Sequence, residues 1–360
     1  MKKKILILFA VIVLCFPLCG CSMWMDGEYV SIRPHEEQKP APDQEIIEVS
    51  DYSQLRQALV EVVSESKENA LFSVALLDQD KIDSLMDLAI SYVMHDDAIG
   101  AYSVDRIRYE LGTNSGKPAI SLNITYIHDR AQMMRVQKAE TMEDAGAHIF
   151  GALENCDSDI VLLVSRYNEV DLSQMIQDYA NSHPDTVMEI PQVTTVVYPD
   201  RGAERIIEIT FTYQTSRQAL RSMQDTVEPI FKSAELYVSA DSATEEKYSQ
   251  LYSFLMQRFD YKIQSSITPA YSLLRHGVGD CKAFSNVYTA ICRRAGLDCQ
   301  TISGTRNGEA WYWNIICIDG VNYHLDLLSE SSQEDFSLKS ELEMDGYVWD
   351  YSAYPAVINE

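Results

Sequence analysis

The residues best suited to chemistry lie around Cys281, in the sequence GVGDCKAFS. Apolar residues with helical spacing predict a helix over residues 281–295, with Asp280 as its N-cap and Gly296 as its stop. At a helix N-terminus, backbone N–H groups and the helix dipole stabilise a thiolate. The pattern therefore indicates a nucleophile-type cysteine at position 281, whereas Cys292 on the same helix is expected to be buried and structural.

Three predicted strands follow this helix and are expected to form one core with it. They cover residues 297–304, 310–318 and 321–328, and Asp319-Gly320 between the last two is a strong signal for a two-residue hairpin turn. Such a turn places four side chains on one face of the hairpin: Trp311, Trp313, His324 and Asp326. Trp311 is then diagonal to Asp326, close enough for its indole N–H to reach the carboxylate.

This region resembles the transglutaminase-like superfamily. The resemblance runs from Ser242 to Pro355 and is carried by Cys281, Arg294-Ala-Gly-Leu, Trp313-Asn-Ile-Ile-Cys-Ile-Asp-Gly and Tyr323-His-Leu-Asp. It implies a papain-like core, in which the helix that bears the cysteine packs on an antiparallel sheet. It also implies that a cysteine attacks an amide carbonyl, a histidine acts as the base and an aspartate orients the histidine. Cys281 and Asp326 match the first and third of these positions.

The histidine position departs from the family pattern. The family commonly reads His-Ala-Trp-Asn, and here the aligned residues are Trp311-Tyr-Trp-Asn314, so Trp311 stands at the position of the base. An indole cannot accept a proton at neutral pH. The sequence therefore predicts a catalytically degenerate domain that binds or scaffolds.

Two histidines are alternatives for the base. His324 shares the hairpin face with Asp326 but lies nearer the turn, and a packing or hydrogen-bonding role is favoured for it. His276 precedes Cys281 in a Gly-flanked segment and is expected to be exposed. The rival hypothesis is an active cysteine peptidase, or a transglutaminase-type amide hydrolase or acyltransferase. Its catalytic residues would be Cys281, Asp326 and either His324 or His276.

Upstream of this region, the order helix, strand, helix, strand, strand occurs twice. The closing segments agree in detail: Ile124-Thr-Tyr precedes Arg130, and Phe211-Thr-Tyr precedes Arg217. We therefore predict two tandem repeat units, each of the usual size of a small domain. Their histidines are isolated and their acids have the spacing of solvated helix faces, so binding, spacing or support is expected of them.

The N-terminus has the pattern of an export signal. Three lysines precede an apolar run from Ile5 to Leu18 that is too short to span a bilayer. The run ends in Leu18-Cys-Gly-Cys21, which resembles the bacterial lipobox, where the signal is cut before the cysteine and that cysteine is acylated. The resemblance implies a lipidated Cys21 and an extracytoplasmic protein anchored to the cell membrane.

The predicted fold class is α+β, with two tandem repeat units followed by a transglutaminase-like, papain-type domain. The segments are a signal peptide at 1–20, a spacer at 21–49, repeat unit 1 at 50–138, repeat unit 2 at 139–226, and the transglutaminase-like domain with a C-terminal extension at 237–360. The extension is expected to pack on that domain with Trp349 as its anchor.

Composition narrows the choice of partners. A net charge of −25 makes the chain a poor nucleic-acid binder and would repel anionic lipid heads, so the lipid on Cys21 must hold it at the membrane.

The cysteines and histidines have neither disulfide-framework nor zinc spacing, so no metal and no cofactor is expected. The expected ligand is a protein or a cell-wall peptide. A third hypothesis gives the main function to the repeat units as protein-interaction modules.

Overall fold

The structure is a computed structural model that describes residues 46–263, 266–329 and 336–357. The predicted signal peptide, the predicted lipidation site Cys21 and residues 22–45 of the predicted spacer lie outside the described residues. The described ranges contain both helices and sheets, which confirms the predicted α+β class. None of the helices in these ranges is long and apolar enough to cross a membrane.

The first sheet is built from residues 46–126. Its strands are β1 (Ile46–Glu48), β2 (Asn69–Ser73), β3 (Val104–Asn114) and β4 (Lys117–Tyr126), in the order β1-β2-β4-β3. The helices between them are α1 (Tyr52–Ser64), α2 (Ile82–His95) and α3 (Ala98–Ser103). β1 lies within the predicted spacer. The sequence does not predict this strand, because three residues are too few to show an alternating pattern. It pairs in parallel with β2.

The second sheet has the same topology. Its elements are α4 (Arg130–Met133), β5 (Gln137–Thr141), α5 (Met142–Glu154), β6 (Asp159–Arg166), α6 (Leu172–Ser182), β7 (Gln192–Tyr198) and β8 (Arg205–Thr212). The strand order is β5-β6-β8-β7, with β5 parallel to β6 and with β7 and β8 forming an antiparallel hairpin. The predicted boundary between residues 138 and 139 falls inside β5. Origin of the two units by duplication stays a prediction.

Helix α7 (Arg217–Tyr237) connects the second sheet to the cysteine region. The predicted end of repeat unit 2, residue 226, falls inside this helix, and Pro229 is part of it. Val227, Phe231 and Ala234 are buried in the same apolar cluster as the helix that carries Cys281. The second half of α7 therefore packs in the core of the cysteine region.

The cysteine region packs helices against one antiparallel sheet. Its elements are α8 (Thr244–Met256), β9 (Asp260–Tyr261), α9 (Pro269–His276), β10 (Val278–Gly279), α10 (Cys281–Arg294), β11 (Cys299–Arg306), β12 (Glu309–Ile318), β13 (Val321–Leu325) and β14 (Tyr347–Trp349). The order of the antiparallel sheet is β13-β12-β11-β14, and β9 and β10 form a separate parallel pair. Ile316 clusters with α10 on one face, whereas Trp313 and Ile315 cluster with Met344 and Tyr347 on the other. The C-terminal segment thus covers the face opposite the helix.

Candidate functional site

Cys281 is the first residue of α10, as predicted. Asp280 is the N-cap, and its carboxylate accepts a hydrogen bond from the backbone N–H of Ala283 at 2.9 Å. The helix ends at Arg294, and Gly296 follows with a φ of 72°, a left-handed conformation that favours glycine. The predicted helix and its two ends are confirmed.

The thiol of Cys281 is buried, with 8% of the residue exposed. Burial raises the pKa of this thiol to about 11, and the negative charges of Asp280 and Asp326 also raise it. Backbone hydrogen bonds from Tyr312 and Lys282 lower the pKa by a smaller amount. Desolvation therefore outweighs the predicted stabilisation of a thiolate by the helix terminus. Cys281 carries a protonated thiol at neutral pH.

β12 and β13 form the predicted hairpin. Ile318 pairs with Val321 across the turn, and both residues of Asp319-Gly320 have positive φ, at 52° and 84°. Positive φ at both positions is the conformation of a type I′ turn, which matches the twist of the flanking strands. The predicted register is confirmed, and it brings Trp311 to the side chain of Asp326.

The carboxylate of Asp326 is buried, and only 1% of the residue is exposed. Its Oδ2 accepts hydrogen bonds from Trp311 Nε1 at 3.0 Å, Tyr347 OH at 2.5 Å and Arg306 Nη1 at 3.3 Å. Its Oδ1 accepts a hydrogen bond from the backbone N–H of Leu328 at 3.0 Å. A buried carboxylate needs this many donors, because burial without them would disfavour its charge.

The hydrogen bond from Trp311 to Asp326 is the contact that the hairpin register predicted. The indole uses its single N–H in this bond and has no nitrogen that accepts a proton. The guanidinium carbon of Arg306 lies 5.2 Å from the centre of the Trp311 ring, and the ring of Tyr261 lies 6.1 Å from it. Trp311 is thus held between the carboxylate, a cation and a second aromatic ring.

Arg306 and Tyr347 are site residues that sequence reasoning did not find. Arg306 ends β11 and reaches Asp326 only because β11 and β12 pair. Tyr347 comes from β14, which pairs with β11 at the edge of the sheet. No local pattern marks either residue, since both contacts depend on how distant segments pack.

His324 lies on the face of the sheet that the C-terminal segment covers. It pairs with Ile315 in the hairpin, as predicted, and only 1% of it is exposed. Its Nδ1 accepts a hydrogen bond from Trp313 Nε1 at 3.2 Å, which places its proton on Nε2. The ring centres of Trp349 and His324 lie 5.0 Å apart, so Trp349 packs on the sheet as predicted for the anchor of the C-terminal extension. Burial lowers the pKa of His324 to about 4, so it is neutral at pH 7.

His276 is the last residue of α9, and it is exposed to solvent. Gly277 follows it with a φ of 79° and ends the helix. Its predicted exposure is confirmed.

The site contains a protonated thiol and, near enough to influence its pKa, a carboxylate that is already hydrogen-bonded on both oxygens. Among the residues of the described ranges, no three metal-binding side chains lie together. The five cysteines of these ranges are free thiols: Cys156, Cys281, Cys292, Cys299 and Cys317. Cys292 is fully buried, as expected for a structural residue.

A comparison with protein-family profiles finds a match that covers this site. Residues 232–352 match the profile of the transglutaminase-like superfamily. No curated protein sequence matches the chain. The matched segment begins within α7, where the apolar face of that helix enters the cysteine core.

Solved structures with similarity to the chain can also be named. They include a TGase (11% identity, TM-score 0.26, 60% of this chain and 63% of that one) and a proposed cysteine protease from Cytophaga hutchinsonii (10%, 0.27, 44% and 65%). A proposed protease from Parabacteroides distasonis has 7% identity and a TM-score of 0.24, over 71% of this chain and 39% of that one. The chain spans less than two thirds of the length of each of the three. On the profile match alone, residues 232–352 of this α+β chain are a transglutaminase-like domain.

Proposed function

We propose that this protein is a membrane-anchored extracytoplasmic lipoprotein whose transglutaminase-like domain is catalytically degenerate and binds a protein or a cell-wall peptide. One observation carries the proposal: Trp311 donates its indole N–H to Asp326. In a cysteine, histidine and aspartate triad the histidine makes this contact with the aspartate. An imidazole bonded to Asp326 in this way would keep a second nitrogen for the proton of the thiol, and an indole has none.

The state of the thiol supports the same proposal. Activated cysteines have lowered pKa values, because a nearby imidazolium or other positive charge stabilises the thiolate. Burial raises the pKa of Cys281 to about 11, and the carboxylate of Asp326 acts in the same direction. At neutral pH the thiolate fraction is therefore far below that of a free cysteine.

The contacts of His324 argue against its use as a substitute base. Its Nδ1 is occupied by the indole N–H of Trp313, and burial lowers its pKa to about 4. A base whose pKa lies this far below neutrality is a poor acceptor for a thiol proton at pH 7. The rival enzyme, with Cys281, His324 and Asp326 as its catalytic residues, would need His324 to leave this environment.

The surface beside Cys281 has the composition of a peptide-binding site. Tyr261 is 41% exposed and lies against the partly buried ring of Trp311. Lys282 Nζ lies 5.4 Å from the centre of the Tyr312 ring. Aromatic faces beside cations give contact area and polar anchor points at low cost in side-chain entropy. We place the peptide ligand here.

An activity assay tests the degeneracy. The chain from residue 22 onward is incubated with fluorogenic peptides and, separately, with a glutamine-containing protein and a fluorescent amine. The proposal expects no hydrolysis, deamidation or amine incorporation above that of Cys281→Ala. Turnover that disappears in both Cys281→Ala and His324→Ala would establish the rival enzyme.

A binding assay tests the ligand. Cell-wall stem peptides are titrated into the same chain while tryptophan fluorescence is followed. Tyr261→Ala should weaken saturable binding, whereas Tyr237→Ala, which removes a ring of equal 41% exposure from the end of α7, should not. Equal effects of the two variants, or no saturable signal with any peptide, would remove the stem-peptide ligand.

A further inference from the structure

A cavity of 510 Å³ lies between helices of the first repeat unit and the sheet of the second, outside the cysteine region. Its walls come from the turn after α1, from α3 and α4, and from strands β5, β6 and β8. Its volume is in the range of small-molecule sites, which is about 300 to 1,000 Å³. Both repeat units contribute to the walls, so neither unit alone forms the cavity.

The interior of the cavity is apolar. Tyr102, Leu163 and Ile206 belong to a buried cluster that the two units share, and Ile99 and Val136 pack against it. Met133 and Met134 of the α4 segment complete the lining, and Met134 is 78% exposed. Methionine side chains are flexible and adapt to ligands of different shape. The interior therefore suits an aliphatic chain.

The rim of the cavity carries an excess of positive charge. Its ionisable lining residues, apart from the phenol of Tyr102, are Glu65, Lys67, Arg130 and Lys138. Lys67 pairs with Glu65 at 2.5 Å, and Arg130 and Lys138 add two further cations. The chain as a whole has a net charge of −25, so this positive rim is opposite in sign to the molecule that carries it. A local excess of one sign at the mouth of an apolar cavity favours ligands of the opposite sign.

We propose that this cavity binds an aliphatic carboxylate of the medium-chain fatty-acid type. The hydrocarbon chain packs against Leu163, Ile206 and the two methionines, and the carboxylate lies at the rim near Arg130 and Lys138. The site is independent of the cysteine region.

Fluorescence displacement tests this site. Dansylated undecanoate is titrated into the chain from residue 22 onward, and the bound probe is displaced with dodecanoate, dodecylamine or dodecanol. The site predicts saturable probe binding and displacement by dodecanoate at lower concentration than by the amine or the alcohol. It also predicts weaker binding as salt is raised, because the rim is exposed to solvent.

Charge-reversed variants locate the carboxylate. Arg130→Glu and Lys138→Glu should each weaken probe binding by about tenfold, because attraction becomes repulsion of similar size. Lys117→Glu makes the same charge change at the exposed first residue of β4, outside the cavity, and should leave affinity unchanged. Ile99→Trp, which fills the cavity from α3, should abolish binding in a chain whose melting temperature shows that it is folded.

Three results would overturn the proposal. They are the absence of saturable probe binding to the parent chain, displacement by dodecylamine at the same concentration as by dodecanoate, and equal losses of affinity in Lys117→Glu and Lys138→Glu.

Discussion

The hydrogen-bond partners of Asp326 bear on which residue can occupy position 311. The carboxylate accepts hydrogen bonds from an indole, a phenol, a guanidinium and a backbone N–H. Arg306 supplies the positive charge that an imidazolium would supply in an active triad. The buried aspartate is therefore stable without a histidine partner, and this explains how a tryptophan can stand at position 311 without leaving a buried charge unpaired.

Replacement of Trp311 by histidine should bring part of the activation back. In Trp311→His the imidazole can bond to Asp326 and stabilise the thiolate as imidazolium, so the pKa of Cys281 should fall. We expect alkylation of Cys281 at pH 7 to be faster by about tenfold or more, which corresponds to one pKa unit. Trp311→Phe is the matched control, because it removes the indole N–H without adding a base. An equal acceleration in both variants would mean that the change merely exposes the thiol.

His324 should make stability depend on pH. Its pKa is about 4 in the folded chain against 6.5 for the unperturbed group, so the unfolded chain binds more protons between these values. The stability that the neutral, buried His324 contributes to the folded chain is fully present above pH 6.5 and is lost as the pH falls toward 4. Urea unfolding should show a loss of about 2 kcal/mol from this group between pH 7 and pH 5. In His324→Gln the amide oxygen can still accept the hydrogen bond from Trp313, but the side chain does not titrate, so this part of the stability loss should disappear. If the variant and the parent lose stability equally between pH 7 and pH 5, His324 is not the group responsible.

At the level of elements, the C-terminal end of α10 is held by an ion-pair network. Arg294 donates to both oxygens of Glu228, at 2.6 Å and 3.0 Å, and also pairs with Glu235 on α7. The adjacent Arg293 bonds to Asp185 at 2.5 Å, and Asp185 is only 6% exposed. The hydrogen bond from Arg294 lowers the pKa of Glu228. These contacts fix the helix that carries Cys281 to α7 and to the second repeat unit.

Loss of Arg294 should destabilise the fold measurably. Arg294 also lies 3.7 Å from the buried Asp185. Arg294→Gln therefore leaves Glu228, Glu235 and Asp185 with less positive charge, and we expect the free energy of unfolding to fall by about 2 to 3 kcal/mol. Lys232→Gln removes an exposed partner of the same Glu228 and should cost about 0.5 kcal/mol or less. Urea denaturation of both variants measures the difference. Similar values for the two would show that the network contributes no more than a surface pair.

The elements that the sequence predicts best are those with local signals. The Asp319-Gly320 turn sets the hairpin register and thereby the contact between Trp311 and Asp326, and Asp280 with Gly296 marks both ends of α10. The edge strand β1 has only three residues, and Ala139 is the only buried residue of the edge strand β5, so neither sequence shows an alternating pattern. Both strands are defined by their pairing with β2 and β6. The high pKa of Cys281 also could not be predicted, because burial depends on tertiary packing rather than on position in the helix.

Over the whole molecule, the repeat units and the cysteine region share contacts. Asp96 and Arg201 form an ion pair between the two repeat units. Asn181 bonds to Asn286 on the helix of Cys281, and Asp185 bonds to Arg293. Deletion of residues 50–226 would remove Asn181, Asp185 and half of α7, so it would test the interaction-module hypothesis only if the remaining domain still folds. Charge reversal on the exposed faces of the repeat units is the cleaner test.

Attachment to the membrane should depend on Cys21. If the lipobox resemblance holds, Cys21→Ser prevents acylation, and the protein should move from the detergent phase to the aqueous phase in a temperature-driven phase separation. Cys19→Ser, two residues earlier in the same segment, is the matched control and should stay in the detergent phase. Equal partitioning of the parent and Cys21→Ser would contradict the anchor.

The pH dependence of Cys281 alkylation tests catalytic degeneracy most directly. The chain from residue 22 onward is treated with iodoacetamide over a range of pH, and the Cys281 peptide is quantified by mass spectrometry with the Cys299 peptide as internal control. We expect a midpoint well above the free-thiol value of about 8.5, near the pKa of about 11 that burial gives Cys281. A midpoint below neutrality, with Cys281 reacting faster than Cys299, would show that some group replaces the missing histidine and that the domain is an active cysteine enzyme.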